Sequence, residues 1–171
     1  GMGNVAREVA KRVKAFDTTA QYFDKYVTLQ PDVAKELGVK KVSLEELLHT
    51  SDVVTVHIPL TSETRALIGR EQLAMMKPTA ILINTSRGGV VDQRALYEAL
   101  RDKKIAAAGL DVLDPEPFDR NEPILRLENA TVTPHSAGFV YDSYKRRAAN
   151  AFENIQRVQQ GEKPKWIAQF V

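Results

Sequence analysis

The chain is 171 residues long, enough for one domain with a real core and a tight fit for two. Its 24 Lys and Arg against 22 Asp and Glu leave a formal net charge of +2, far from the basic excess of a dedicated nucleic-acid binder, and 43% hydrophobic with 27% charged residues exclude a disordered or fibrous chain. The lack of Cys removes disulfides, thiolate nucleophiles and Cys-based metal sites. Apolar runs such as 53–60 are too short to cross a bilayer and no basic-then-apolar leader opens the chain, so a cytoplasmic protein with no membrane or nucleic-acid partner is expected.

Short β-rich runs alternate with helical patterns, the signature of a parallel α/β sheet. Val5, Val9 and Val13 recur at helical spacing and predict a helix over about 4–15, followed by a strand over 18–23 that Asp24 closes. Ser43 stands three residues before Glu46, a capping-box spacing that starts a helix near Leu44. The run 53–58 reads as a fully buried strand stopped by Pro59, and 80–83 as the next. Asp92 is a candidate N-cap for a helix whose Ala95, Leu96, Ala99 and Leu100 form one apolar stripe. Strands near 106–112 and 130–132 follow. The last helix, over 140–158, spaces Val140, Tyr144, Ala148, Phe152, Ile155 and Val158 helically, and Gly161 ends it.

Gly1, Gly3 and Ala6 give G-x-G-x-x-A at a helix start, with Asp24 at the end of the next strand. Glycine permits a tight turn and close approach of a pyrophosphate, the small third residue lets helix and strand pack, and a helix N-terminus attracts phosphate. Asp24 would then hold the ribose hydroxyls of NAD. A 2′-phosphate in the same place would meet carboxylate repulsion, and Lys25, not arginine, follows Asp24. A Gly-Met start also arises where a cleaved end precedes an initiator Met; the spacing to Asp24 favours the nucleotide reading. The strand that should precede the loop is missing from the chain.

Four segments carry more specific information: Asp52 to Thr61, Ile83-Asn84-Thr85-Ser86-Arg87-Gly88, Gly109 to Pro117 with Asp111 and Glu116, and Thr133-Pro134-His135-Ser136-Ala137-Gly138. With the glycine loop they resemble, in order and over essentially the whole chain, the NAD-binding domain of the D-isomer-specific 2-hydroxyacid dehydrogenases. The resemblance implies an α/β fold, a Rossmann-type doubly wound parallel sheet that here lacks its first central strand. It implies that 1–160 is the NAD-binding domain, truncated at its N-terminus, and that 161–171 is a tail of an otherwise absent substrate-binding domain. It implies an NAD-dependent oxidoreductase, acting on the CH-OH group of a small D-2-hydroxy acid or reducing the 2-keto acid, inactive as this isolated chain and dimeric in its complete form. Glyoxylate, hydroxypyruvate and 3-phosphoglycerate are the family-level substrate candidates.

The catalytic set carried over from the family is Arg87, Glu116 and His135. The implied cofactor contacts come from Gly1, Gly3, Asn4, Val5 and Asp24 at the first loop and from Ile58, Pro59 and Thr64 after the third strand. Thr85, Ser86, Arg87, Asp111, His135, Ala137 and Gly138 complete them. Ala6 replaces the commoner third glycine and still permits packing. A guanidinium fork can hold the carboxylate of a 2-keto acid while polarising its carbonyl, which suits Arg87. An imidazole can supply the proton that the growing alkoxide needs, which suits His135, and a carboxylate beside it fixes the tautomer and favours the protonated ring, which suits Glu116.

Each residue alone has an ordinary reading as well. Arg87 would be a surface arginine in a turn, Glu116 a solvated loop carboxylate, His135 a structural histidine and Asp111 a strand-ending turn residue. Their joint occurrence at strand C-terminal ends, where ligands sit in open α/β sheets, favours the catalytic reading of the first three. His49 and His57 are assigned to structure, and three histidines without a close acidic cluster predict no metal site. Two alternatives remain: a non-catalytic NAD-binding interaction module of the corepressor kind, and a Rossmann-like methyltransferase, which would leave the Arg, Glu and His set unexplained.

Overall fold

The computed structural model describes residues 1–165 and 167. The tail proposed for 161–171 therefore falls partly outside the described residues, at Trp166 and 168–171. Helix α1 (Asn4–Val13) starts at Gly3 and gives way to a 3-10 turn through Phe16, so the helix expected over 4–15 tightens before its end. Strand β1 (Ala20–Tyr22) follows. Helix α2 (Pro31–Leu37) and strand β2 (Val39–Lys41) are short elements with no hydrophobic period to announce them. Pro31 starts the helix and Gly38, at φ 69°, ends it.

Helix α3 (Leu44–Thr50) is capped by Ser43, whose Oγ accepts from the Glu46 N–H at 3.0 Å. The reciprocal half of the expected capping box is replaced, because the Glu46 carboxylate meets Lys40 instead. Strand β3 (Val53–Val56) leads to α4 (Arg70–Met75), whose first turn is closed by the Gln72 side chain accepting from Gly69 N–H. Strand β4 (Ile81–Asn84) precedes α5 (Gln93–Arg101), capped as expected by Asp92 accepting from Ala95 N–H at 3.0 Å. Strands β5 (Ala107–Leu110) and β6 (Ala130–Val132) complete the sheet.

All described strand pairings are parallel. Strands β1 and β2 form a two-stranded sheet, and β3-β4-β5-β6 form a four-stranded one. The register aligns Val56 with Asn84, Asn84 with Leu110, and Leu110 with Val132. Four loops thus leave one sheet edge side by side, at the C-terminal ends of the strands.

The main core lies between the four-stranded sheet and α3, α4 and α5, with Leu48, Leu73, Leu82, Leu96, Leu100, Ile105 and Ile124 fully buried. Burial of each such side chain contributes about 1.5–3 kcal/mol. The apolar stripe read on α5 is buried at all four expected positions. Strand β3 departs from the expected full burial: Val54 and Val56 face the core while Val53 is 57% exposed, because these helices cover one face of the strand. A second core joins α1, α2, β1 and β2 through Met2, Ala6, Ala10, Tyr22, Leu29, Leu37 and Val39. Both cores belong to a compact unit spanning Gly1–His135. The second unit, Ser136–Val171, is built on α6 (Tyr141–Gln159), on which Tyr144, Phe152, Ile155 and Val158 are exposed.

Candidate functional site

At the first loop, Gly1 sits against the end of β3. A Cβ there would stand 2.6 Å from His57 O and 2.7 Å from Ile58 Cγ2, so only glycine fits. The amino group of Gly1 donates to Phe23 O at 2.8 Å, which ties the same point to the end of β1. Gly3 is the opposite case: a Cβ there meets nothing within 4 Å, and this N-cap offers no side-chain oxygen to the first-turn N–H groups of α1. Asn4 and Val5, on that first turn, are exposed. An open helix N-terminus without acidic residues in its first turn suits a phosphate.

Asp24 stands beside this loop. One carboxylate oxygen accepts from Met2 N–H at 2.7 Å and the other from Tyr26 and Val27 N–H at 2.8 Å each. Burial pushes its carboxyl up, but these three hydrogen bonds, helped by the Gly1 ammonium, outweigh it and hold the group below the usual aspartate value. A carboxylate has about four acceptor positions, so one is left for a hydroxyl. His57, after β3, is half-buried and bonded to Thr55 Oγ1 at 3.0 Å; burial, and then the Gly1 ammonium, push it below the ordinary histidine value. The Thr64 hydroxyl donates to Pro59 O at 2.7 Å and accepts from Thr61 N–H, which folds the 59–64 loop back on itself.

After β4, buried Asn84 organises the turn. Its amide donates to Arg87 O and its oxygen accepts from Ser86 N–H and Ser86 Oγ. Thr85 and Arg87 are exposed, and the Arg87 guanidinium donates to Ser86 O at 2.7 Å. Gly88 then passes so close to the loop after β5 that a Cβ would stand 2.0 Å from Leu113 O. Asp114 is gripped from two sides, by Arg65 on its carboxylate at 2.9 Å and by Gln93 accepting from its N–H at 2.9 Å. Two residues on, Glu116 Oε2 lies 2.8 Å from His135 Nδ1.

His135 occupies a left-handed conformation, φ 52°, which its N–H stabilises by donating to Asp111 O at 2.8 Å. Buried Asp111 accepts from Thr133 Oγ1 and donates its N–H to Asn84 O, so the ends of β4, β5 and β6 are laced together under the imidazole. With Nδ1 turned to Glu116, Nε2 has no hydrogen-bond partner among the described residues. The side chains of His135 and Glu116 are half- and one-third exposed.

The structure brings Glu116 and His135 into contact, and the described hydrogen bond of the Arg87 guanidinium goes to its own turn. Ala137 and Gly138 lie in the second unit, exposed before α6. Asn84, Gly88 and Gln93 were missed as site residues. The Gly88-Gly89 pair was a readable signal, because adjacent glycines outside a hairpin point to close backbone approach. No group of three His, Asp or Glu side chains able to hold a metal occurs among the described residues.

The cradle fits a dinucleotide, with a glycine turn that no side chain can enter, open space at Gly3 and a fixed carboxylate at Asp24. Residues 1–137 match the family model described as D-isomer specific 2-hydroxyacid dehydrogenase, NAD binding domain. A glyoxylate reductase of Korarchaeum cryptofilum is 48% identical over 164 residues, 96% of this chain and 49% of that protein. Among solved structures, D-lactate dehydrogenase with NAD+ from Lactobacillus jensenii superposes with a TM-score of 0.90 at 31% identity, covering 99% of this chain and 54% of that one. An acyclic imino acid reductase in complex with NADPH and D-Arg gives 0.89 at 31% identity, covering 99% and 52%. The chain spans about half the length of the glyoxylate reductase it matches. By motif, sheet order and these likenesses, the chain belongs to the D-isomer specific 2-hydroxyacid dehydrogenase family, as its NAD binding domain.

Proposed function

We propose that this domain holds NAD(H) for an enzyme that transfers a hydride between the cofactor and a small D-2-hydroxy acid or 2-keto acid. The observation that carries the reading is the Glu116–His135 contact of 2.8 Å at the C-terminal edge of the sheet. The bound cofactor supplies the hydride. The protein's share is positioning and proton handling.

His135 holds a proton at Nε2 and gives it to the oxygen that becomes the hydroxyl; in the reverse direction its neutral Nε2 takes that proton. Glu116, accepting at Nδ1, fixes the ring's tautomer and orientation and stabilises the imidazolium. Arg87 is the candidate partner of the substrate carboxylate. Its one-bond tether to Ser86 O is exchangeable for a bidentate, charge-assisted pair when a carboxylate arrives. Gly1, Gly3, Asn4 and Val5 take the pyrophosphate and Asp24 the adenosine ribose. Ile58, Pro59, Thr64, Thr85, Ser86, Asp111, Ala137 and Gly138 are proposed to line the rest of the cofactor. Residues 161–171 are proposed as a tail of the substrate-binding domain, and the complete protein as a cytoplasmic homodimer.

The test is NADH oxidation with glyoxylate, hydroxypyruvate and other 2-keto acids, using this domain joined to a substrate-binding domain. Substrate-dependent turnover is expected. NADH binding with no turnover on any acid would favour the non-catalytic module instead.

A further inference from the structure

The loops flanking the glycine cradle are joined by a cluster that the proposed chemistry does not use. Lys25 directly follows Asp24, and its Nζ donates to Glu63 Oε2 at 2.7 Å; the Tyr26 hydroxyl donates to the same oxygen at 2.7 Å. Lys25 also lies over the Tyr26 ring, 5.1 Å from its centre. Glu63 stands just before Thr64, in the loop that Thr64 folds, so the carboxylate is presented from a fixed support.

A ribose held at Asp24 places its 2′ position beside Lys25. A 2′-phosphate there would be repelled by Asp24 and attracted by an adjacent ammonium, and the balance depends on where that ammonium is. In this structure it is engaged elsewhere.

We propose that Glu63 is a specificity-determining residue for the cofactor: by holding Lys25 on its carboxylate, it withholds a side-chain cation next to Asp24 that would offset it and so disfavours 2′-phosphorylated dinucleotides. The discrimination is then divided between two loops, Asp24 repelling the phosphate directly and Glu63 disarming the lysine. The proposal rests on the reading of Asp24 as the ribose ligand. The hydrogen bond raises the Lys25 ammonium above its ordinary value and lowers Glu63 below its own, as a true ion pair requires. Both side chains are well exposed, so the effect is modest and screened by salt.

The test measures binding of adenosine 2′,5′-bisphosphate and of AMP to this chain at low salt. Glu63→Ala should tighten the bisphosphate by roughly 1.5- to fivefold and leave AMP unchanged, the range expected for an exposed charge contact. Glu63→Gln, which keeps the acceptor and loses the charge, should give part of that gain. Adding Lys25→Ala should abolish it. A bisphosphate affinity that ignores Glu63, or a gain that survives loss of Lys25, overturns the proposal. AMP binding that is absent, or indifferent to Asp24→Ala, overturns the ribose reading itself and the proposal with it.

Discussion

Asp24 and Glu116 are both carboxylates just beyond strand ends, and they are held in opposite ways. Asp24 is fixed by three main-chain N–H groups, so no other side chain sets its position. Glu116 has a single described partner, the imidazole of His135, and its place depends on how its loop packs against Gly88, Gln93 and Arg65. A recognition group that keeps one charge state can be built into the backbone. A group that serves a moving proton must stay reachable, and its loop supplies the rigidity.

The sharpest separation of the two regions is kinetic. In a protein that joins this domain to a substrate-binding domain, His135→Ala should lower kcat about 10²- to 10⁴-fold, the usual share of a general acid-base group. NADH affinity should hold within about twofold, because the imidazole serves the proton and leaves the ribose to Asp24. Stopped-flow turnover and NADH fluorescence titration read the two quantities. A parallel fall in both would merge the regions.

The glycines test the same division in stability. Gly88→Ala drives a methyl into Leu113 O and should destabilise the chain by about 3 kcal/mol, the upper part of the overpacking range. Gly3→Ala meets open space and should change stability by less than about 1 kcal/mol while weakening NADH binding, since on the proposed reading the new methyl would take space meant for the pyrophosphate. Urea unfolding with both variants decides it; equal losses would remove the close approach from the account.

Much of this was legible. Ser43 and Asp92 announced their helices because a cap satisfies a main-chain N–H locally, and both bonds are present. The Arg, Glu and His motifs were read at strand C-terminal ends, and they follow β4, β5 and β6, whose parallel register puts those ends side by side. Helices α2 and α4 were illegible, being only seven and six residues long, too short for a period to show. The alternation in β3 was hidden because Val53 and Val54 are both apolar although only one is buried. The present orientation of Arg87 could not be read either: a motif names a residue, whereas its tether depends on the turn that Asn84 organises.

A smaller effect concerns pH. Burial, and then the Gly1 ammonium, lower the proton affinity of His57 in the folded chain, so the unfolded chain takes up its proton first as pH falls below about 6.5. The stability this residue contributes is complete above that value and is lost as pH drops beneath it. Replacing His57 by Asn should flatten the fall in Tm between about pH 7.5 and about pH 5 relative to the parent chain. Identical slopes would show that the ring is freely hydrated when folded.

The sheet order β3-β4-β5-β6 is also the chain order, and every pairing is parallel. The sheet can therefore grow as the chain is made, each strand arriving at an edge its predecessor has just completed, with no strand waiting for a partner synthesised later. Closure entropy is met in instalments of one crossover each, instead of in one long-range step. An assembly that follows chain order has a fixed direction. The loop that carries Glu116 and the strand before His135 are then added last, so the contact between these two side chains would form on a sheet whose other strands are already in register.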